Sequence, residues 1–241
     1  MQDTHWLQRT RLLVGEEPLN QLHSKHVLVV GLGGVGSFAA EFIARAGVGF
    51  MTIVDGDTVD PTNRNRQLPA LSSNHGVLKA DIMAERLLDI NPELQLVVHR
   101  EFMEPNRMLQ LLETPYDYVV DCIDSITPKL FLIEAALTRK YPLVSSMGAG
   151  GKLDPTKIEV ADISKTHTCT LARYVRKRLH RVNIRKGFKA VYSSEPVDAN
   201  SLMLTDGSNF KRSAYGTISY LPAAFGGACA SVVIRDLLSL S

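Results

Sequence analysis

The amino-acid sequence predicts an α/β fold with a Rossmann-like, doubly wound and mostly parallel sheet and a C-terminal α+β extension. Between residues 26 and 146, short apolar runs rich in β-branched residues alternate with amphipathic helical patterns. A glycine-rich turn, GLGGVG, follows the first run and opens a helix. Because parallel strands need crossover helices, this strict alternation favours a doubly wound sheet, with its ligand at the carboxyl ends of the strands.

The first part of the chain contains five predicted strands and four predicted helices. The strands are 26–31, 50–55, 94–99, 118–122 and 142–146. The helices are 35–46, 76–90, 103–112 and 128–140, and the second of these stops before Asn91-Pro92.

The pattern changes after the GAGG segment at 148–151. We therefore place a boundary there, with a nucleotide-binding domain at 1–151 and an extension at 152–241 that packs on the same sheet. The extension is predicted to contain strands 157–163 and 189–195, a basic helix 171–182, a loop 197–213 and a closing helix 221–240.

The composition excludes several classes of protein. The chain has 241 residues, 45% apolar and 22% charged, so it can bury a core and is not intrinsically disordered. Its three cysteines, Cys122, Cys169 and Cys229, form no C-x-x-C pair, which argues against a disulfide scaffold or a cysteine zinc site. The polar N-terminus and the charges within 221–240 argue against a signal peptide and a membrane span, so we expect a cytoplasmic protein.

The charge is unevenly distributed. The chain has 27 basic and 25 acidic residues, a net charge of +2. Segment 165–189 holds nine of the basic residues and no acidic one, which leaves a net charge of −7 elsewhere. This basic segment is a candidate surface for anions or nucleic acid.

Several motifs at the predicted strand ends indicate a nucleotide. Glycines in a strand–turn–helix context let the backbone approach a phosphate at a helix N-terminus. Asp55 ends the second strand, where a carboxylate can accept hydrogen bonds from ribose hydroxyls, and Asp57 can do the same or cap the turn. NAD and ATP both carry that ribose.

The cations that follow favour a triphosphate over a nicotinamide. The segment Asn63–Gln67 brings Arg64 and Arg66 close together, and Lys79 lies near the start of the next helix. Arginine and lysine neutralise phosphate oxygens, which hydride transfer does not require. Asp124, after the fourth strand, can hold Mg²⁺ beside a triphosphate, and Asp121 is expected to accept from loop amides.

Together these residues resemble the ubiquitin-activating-enzyme-like adenylyltransferases, which use ATP and Mg²⁺ to activate carboxylates as acyl-adenylates. The resemblance rests on GLGGVG, D-x-D-x-V from Asp55, N-x-N-R-Q from Asn63, Lys79 and DCIDS. It implies that glycines of the turn cradle phosphate, namely Gly31, Gly33, Gly34 and Gly36. It implies that Asp55 binds ribose, that Asn63, Arg66 and Lys79 contact the phosphates, and that Asp124 holds Mg²⁺. Arg11 matches an arginine that family members lend across a homodimer interface.

Within that family the chain is most similar to the subfamily that converts threonylcarbamoyladenosine in tRNA to its cyclic form. The shared sequence motifs are INPE, DSITPK and GAGG-x-x-DPT-x-I. The implied reaction is ATP-dependent activation of the threonyl carboxylate, followed by attack of a nitrogen of the same group. The basic segment then becomes a candidate tRNA surface, with Arg173, Arg176, Lys177, Arg178, Arg181 and Lys186 as candidate contacts. The resemblance leaves open a monovalent cation and a sulfur-relay protein partner.

Other functions remain open at this stage. An adenylyltransferase for a ubiquitin-like sulfur carrier is the main alternative, although such enzymes often carry the zinc cysteines that this chain lacks. Cys169 could accept a thioester at the start of the basic helix, or be an ordinary structural thiol. A nicotinamide dehydrogenase and an RNA-binding module are the remaining candidates.

Overall fold

The computed structural model describes residues 5–204 and 213–240. Seven strands form one sheet in the order β3-β2-β1-β4-β5-β7-β6, and β8 and β9 form a separate antiparallel pair. In the large sheet all neighbours are parallel except β6, which pairs antiparallel with β7 at the edge. The predicted α/β fold class is confirmed.

The strands are short and mostly buried. Their bounds are β1 His26–Val30, β2 Phe50–Val54, β3 Gln95–His99, β4 Tyr118–Asp121, β5 Leu143–Ser146, β6 Ile158–Asp162, β7 Lys189–Ser193, β8 Leu202–Leu204 and β9 Ser213–Tyr215.

The helices flank the sheet on both faces. Their bounds are α1 Gln8–Val14, α2 Glu16–His23, α3 Gly36–Arg45, α4 Lys79–Ile90, α5 Pro105–Leu111, α6 Ile126–Thr138, α7 Thr170–Leu179 and α8 Tyr220–Leu237. None of the helices in these described ranges is both long and apolar enough to cross a membrane.

Two apolar cores sandwich the sheet, and alternate residues of one strand divide between them. Val27 and Val29 of β1 face the core that includes α3, α4 and α8. Leu28 and Val30 face the core that includes α5, α6 and α7. Because both faces are covered, the strand is a continuous apolar run, as is typical of a parallel sheet.

Some predicted boundaries differ from the structure. The second predicted helix, 76–90, begins only at Lys79, because Leu78 is extended and forms a β-bridge with Thr58. The fourth begins at Ile126, before Pro128, since proline is tolerated in a first helical turn. The predicted loop 197–213 is wrong where β8 and β9 pair, and its residues 205–212 lie outside the described chain.

Candidate active site

A cavity of about 380 Å³ opens at the carboxyl ends of β1, β2 and β4. Gly31, Asp55 and Asp124, which follow these three strands, are among its lining residues. The strand order reverses between β1 and β4, and such a reversal is where doubly wound sheets bind their ligands. The cavity is therefore well placed for a nucleotide.

The glycine-rich turn between β1 and α3 forms one wall of this cavity. Gly31 has a φ of +90°, and a Cβ there would lie 2.9 Å from the carbonyl oxygen of Cys122. A Cβ on Gly36 would lie 1.7 Å from the carbonyl oxygen of Gly31. Gly31 and Gly33 line the cavity, whereas Gly34 packs against Pro222. Two predicted glycines thus face the cavity, while Gly34 and Gly36 shape the turn.

Asp55 anchors the same turn with both of its carboxylate oxygens. Oδ2 accepts the Leu32 N–H at 2.6 Å, and Oδ1 accepts the Asp57 N–H at 2.8 Å. Burial raises the pKa of Asp55 above its ordinary value, and the two backbone donors offset part of that rise. Each carboxylate oxygen retains acceptor capacity for a ribose hydroxyl.

Asp57 and Lys79 form an ion pair in the cavity wall. Lys79 Nζ lies 2.6 Å from Asp57 Oδ2, and the Lys79 side chain is only 4% exposed. The Lys79 N–H also donates to the Asp57 carbonyl at 3.0 Å. Both residues line the cavity, so Asp57 holds Lys79 in place and does not cap the turn.

The segment from Asn63 to Gln67 reaches the cavity through Gln67. Asn63 accepts the Asp60 N–H at 3.2 Å, and the Arg66 guanidinium donates to the carbonyl of Thr62 at 2.9 Å. Gln67 lines the cavity, and its buried Oε1 has no hydrogen-bond partner among the described residues. A buried acceptor without a partner is costly, so this atom suits a donor on a bound ligand. The signal was in the N-x-N-R-Q motif, which names Gln67.

Asp124 lies at the exposed rim of the cavity, in the turn that follows β4. Asp121 holds that turn, because its Oδ1 accepts the Ile123 N–H at 3.0 Å. Asp121 also binds the buried ammonium of Lys129, which the sequence reading did not single out.

An aromatic and acidic wall was not anticipated from the sequence. Glu101 and Phe102 follow β3 and line the cavity, and Phe131 on α6 also lines it. Glu101 and Phe102 could have been suspected from their place just after a predicted strand. Phe131 lies in the second turn of a helix, where no local pattern distinguishes it.

Arg11 lies on α1 and pairs with Glu16 at 2.9 Å. The turn that precedes α1 contains Trp6 and Leu7, which border a second cavity with Phe50 and Gln95 at the amino-terminal ends of β2 and β3. The turn before α1 thus lies at the amino-terminal edge of the sheet, whereas the first cavity opens at the carboxyl edge, and Arg11 is not among the residues that line that cavity.

The basic segment forms an exposed surface on α7 and the turns that follow. The inner face of α7 packs Ala172, Val175 and Leu179 against the core that includes α6. The exposed arginines and lysines of α7 and of the turns that follow it are Arg173, Lys177, Arg178, Arg181, Arg185 and Lys186. Arg176 differs, because it is half-buried and its guanidinium donates to the Thr166 hydroxyl.

Cys169 immediately precedes α7 and is 3% exposed. A thioester-forming cysteine must be reachable by its partner, so this burial favours the structural role. Cys229 is completely buried on α8, as a packing residue should be.

The chain matches the sequence model of the ThiF family over residues 7–240. A tRNA threonylcarbamoyladenosine dehydratase of Bacillus subtilis is 41% identical over 241 aligned positions, which cover 97% of this chain and 95% of the relative. The crystal structure of the Escherichia coli tRNA N6-threonylcarbamoyladenosine dehydratase in complex with ATP superposes with a TM-score of 0.89 at 37% identity. That match covers 98% of this chain and 95% of the other.

A relative from the alternative class matches less of the chain. The adenylyltransferase and sulfurtransferase uba4 of Aspergillus niger is 37% identical over 126 residues, which cover 52% of this chain and 26% of that protein. The two dehydratase matches thus include nearly all of the extension that carries the basic surface. This coverage favours the dehydratase activity over the sulfurtransferase activity.

Proposed function

The chain belongs to the ThiF family, and on that premise we propose that it cyclises threonylcarbamoyladenosine in tRNA with the use of ATP. The threonyl carboxylate attacks the α-phosphate of ATP and displaces pyrophosphate, which gives an acyl-adenylate. A nitrogen of the same side chain then attacks the activated carbonyl and loses its proton, the ring closes, and AMP leaves. The net change in the nucleoside is the loss of one water.

The observation that carries this proposal is the convergence of Asp55, Lys79 and Asp124 on one cavity at the switch point of the sheet. A carboxylate is a poor electrophile because oxide is a poor leaving group. Lys79 neutralises charge that develops on the phosphates, and the backbone at Gly31 and Gly33 approaches them closely. Residues 1–151 thus supply the residues for adenylation, and residues 152–241 supply the surface that binds the tRNA.

The remaining wall of the cavity suits the nucleoside of ATP. Asp55 accepts a ribose hydroxyl, and the unsatisfied Oε1 of Gln67 accepts a further donor. Phe102 and Phe131 offer apolar faces of the size that a purine needs.

Magnesium fits the acidic rim of this cavity. No group of three or more His, Cys, Asp or Glu side chains within residues 5–204 and 213–240 could hold a metal by itself. Mg²⁺ commonly uses one or two carboxylates together with substrate phosphates and water. Asp124 would therefore hold the ion jointly with the triphosphate, and the ion would neutralise charge on the transferred group.

The basic surface of the extension binds the tRNA. Its exposed cations form no ion pair with any acidic residue in the part of the chain that the structure describes. They are therefore available to RNA phosphates. The sequence-derived candidates remain Arg173, Lys177, Arg178, Arg181 and Lys186, while Arg176 supports the helix.

A second copy completes the site. Arg11 does not line its own cavity, and the family resemblance matches it to an arginine that is lent across a homodimer interface. We therefore include a homodimer, active in the cytoplasm where its tRNA substrate is found, in the proposal.

The decisive experiment is mass spectrometry of nucleosides from tRNA that carries threonylcarbamoyladenosine, after incubation with the protein. The expected result is a loss of one water from that nucleoside only when Mg-ATP is present. No change, with the substrate tRNA verified and the protein folded, would overturn the proposal. Pyrophosphate exchange with a protein ending in Gly-Gly would then support the sulfur-carrier alternative.

A further inference from the structure

One aromatic side chain stands within the basic surface of α7. Tyr174 is 45% exposed and follows Arg173 in the second turn of the helix. On a helical projection with about 100° per residue, Tyr174 falls among Arg173, Lys177 and Arg178. All three cations are exposed, whereas Val175 is buried.

Packing does not account for Tyr174. The inner face of α7 is already filled by Ala172, Val175 and Leu179, each at most 2% exposed. Tyr192 provides a contrast, since it is 1% exposed and its hydroxyl donates to Glu159 at 2.6 Å. Of these two tyrosines of the extension, only Tyr174 presents its ring to solvent.

A cation already covers part of this ring. The Arg173 guanidinium carbon lies 5.5 Å from the centroid of the Tyr174 ring, a cation–π contact. An exposed ring flanked by cations is the arrangement with which proteins bind single-stranded RNA, where a base stacks on the ring and the cations track the backbone.

The position of the helix relative to the cavity supports a role near the reacting nucleotide. A Cβ built on Gly148, which follows β5, would lie 3.7 Å from Leu171 Cβ, so the first turn of α7 meets the carboxyl edge of the sheet. The cavity opens at that same edge.

We propose that the Tyr174 ring is a stacking site for an unpaired base of the RNA substrate, with Arg173 as its cationic neighbour. The inference rests on the proposed function, because it requires a tRNA loop in which bases next to the target nucleotide are unstacked. Such loops expose base faces, and sequence-tolerant stacking on aromatic rings is a common way to hold them. Tyr174 thus fixes the loop while the target nucleotide enters the cavity.

The test measures the dissociation constant of full-length tRNA for the wild type and four variants, at salt concentrations from about 50 to 200 mM. The variants are Tyr174→Leu, Tyr174→Phe, Arg173→Ala and, as a control, Phe42→Leu. Phe42 is 40% exposed on α3, which packs on the opposite face of the sheet. ATP affinity is measured alongside as evidence that each variant is folded.

Stacking predicts that Tyr174→Leu weakens tRNA binding roughly 5- to 100-fold with an unchanged salt slope. Tyr174→Phe and Phe42→Leu should bind as the wild type does. Arg173→Ala should lower the salt slope by about one if its guanidinium also meets a phosphate.

Two results would overturn the stacking site. One is tRNA binding by Tyr174→Leu within twofold of the wild type, and the other is an equal loss in Tyr174→Phe, which would assign the effect to the hydroxyl. If the wild type binds tRNA but does not dehydrate it, the proposed function is overturned. The comparison of the variants would still test the stacking site. Absence of tRNA binding by the wild type would overturn both.

Discussion

Lys129 Nζ lies 2.6 Å from Asp121 Oδ2, and both side chains are completely buried beneath the turn that presents Asp124. The ammonium also donates to the Ser145 hydroxyl at 3.2 Å and to the Ser146 carbonyl at 3.0 Å. Three acceptors therefore satisfy its three N–H groups. The pair ties the carboxyl end of β4 to that of β5, directly before the turn that lines the cavity.

Removal of one member of this pair should be far more damaging than neutralisation of both. Lys129→Met leaves the Asp121 carboxylate buried without its counter-ion, so we expect a loss of about 3–5 kcal/mol in the free energy of unfolding. The double variant Lys129→Met with Asp121→Asn should be more stable than Lys129→Met, because no uncompensated charge remains. Urea unfolding of the three proteins checks this, and a Lys129→Met midpoint equal to that of the wild type would contradict it.

ATP affinity should depend on pH through Asp55. Burial raises the pKa of this carboxyl, so protonation begins at a higher pH than for an exposed aspartate. A neutral carboxyl is a weaker acceptor for a ribose hydroxyl, and ATP binding should therefore weaken as the pH falls through the folded-state pKa. The free energy of unfolding changes in the opposite direction. Above the folded-state pKa the ionised Asp55 lowers this free energy, and below the unfolded-state pKa of Asp55 this destabilisation is gone.

Asp55→Asn is the matched control for this pH effect. Its affinity for ATP should be lower than that of the wild type near neutrality and should vary less with pH on the acid side. Calorimetric titration with ATP over a pH series gives both curves. Parallel curves for the two proteins would assign the pH dependence to another group.

The fold was predictable where a short stretch of sequence determines the structure. Val27 to Val30 form an unbroken β-branched and leucine run, and a strand buried on both faces requires such a run. Asp55 and Asp124 could be placed because Asp55 ends one predicted strand and Asp124 comes two residues after another, and the carboxyl ends of parallel strands share one edge. Their positions depend on topology alone.

The rest depends on packing that leaves no local pattern. Lys129 lies on a helix, where a lysine is ordinarily exposed, and its burial results from the approach of β5 to β4. Phe131 lies on α6 and lines the cavity, although nothing in its local sequence distinguishes it from other helical residues. Arg66 was expected at the phosphates, but its guanidinium bonds within its own turn to Thr62 and Asn65.

Lys79 and Asp57 should differ in their importance for turnover, although they form one ion pair. Lys79→Met removes the cation that faces the phosphates, and we expect turnover to fall by about 10²–10³-fold. Asp57→Asn keeps an acceptor for the Lys79 ammonium, so the loss should stay below about 10-fold. The initial rate of ATP-dependent nucleoside dehydration measures both, and equal losses would mean that Asp57 has a direct role at the nucleotide.

Asp124 should determine the requirement for magnesium. Asp124→Asn keeps the size of the side chain but removes the charge that would bind the ion. We expect the Mg²⁺ concentration for half-maximal turnover to rise by about 10-fold or more, with little change in the free energy of unfolding, because the residue is exposed. A magnesium titration of both proteins checks this, and an unchanged midpoint would remove Asp124 from the proposed metal site.

If Arg11 serves the cavity of a second copy, two inactive variants should restore activity in a mixed dimer. Arg11→Ala lacks the donated arginine, and Lys79→Met lacks the lysine of the receiving cavity. In a heterodimer of the two, one of the two sites combines an intact Arg11 with an intact Lys79. Random pairing in a symmetric dimer should then return about a quarter of the wild-type sites.

Co-expression with two different affinity tags allows the heterodimer to be purified and assayed alone. In the control heterodimer, one chain carries both Arg11→Ala and Lys79→Met. The other chain carries Lys79→Met alone. In that pair no site contains an intact Lys79, so no activity should return. Activity in the first heterodimer requires exchange between subunits, because neither of its chains carries both an intact Arg11 and an intact Lys79. Full activity of Arg11→Ala by itself, or an inactive first heterodimer, would exclude a shared site.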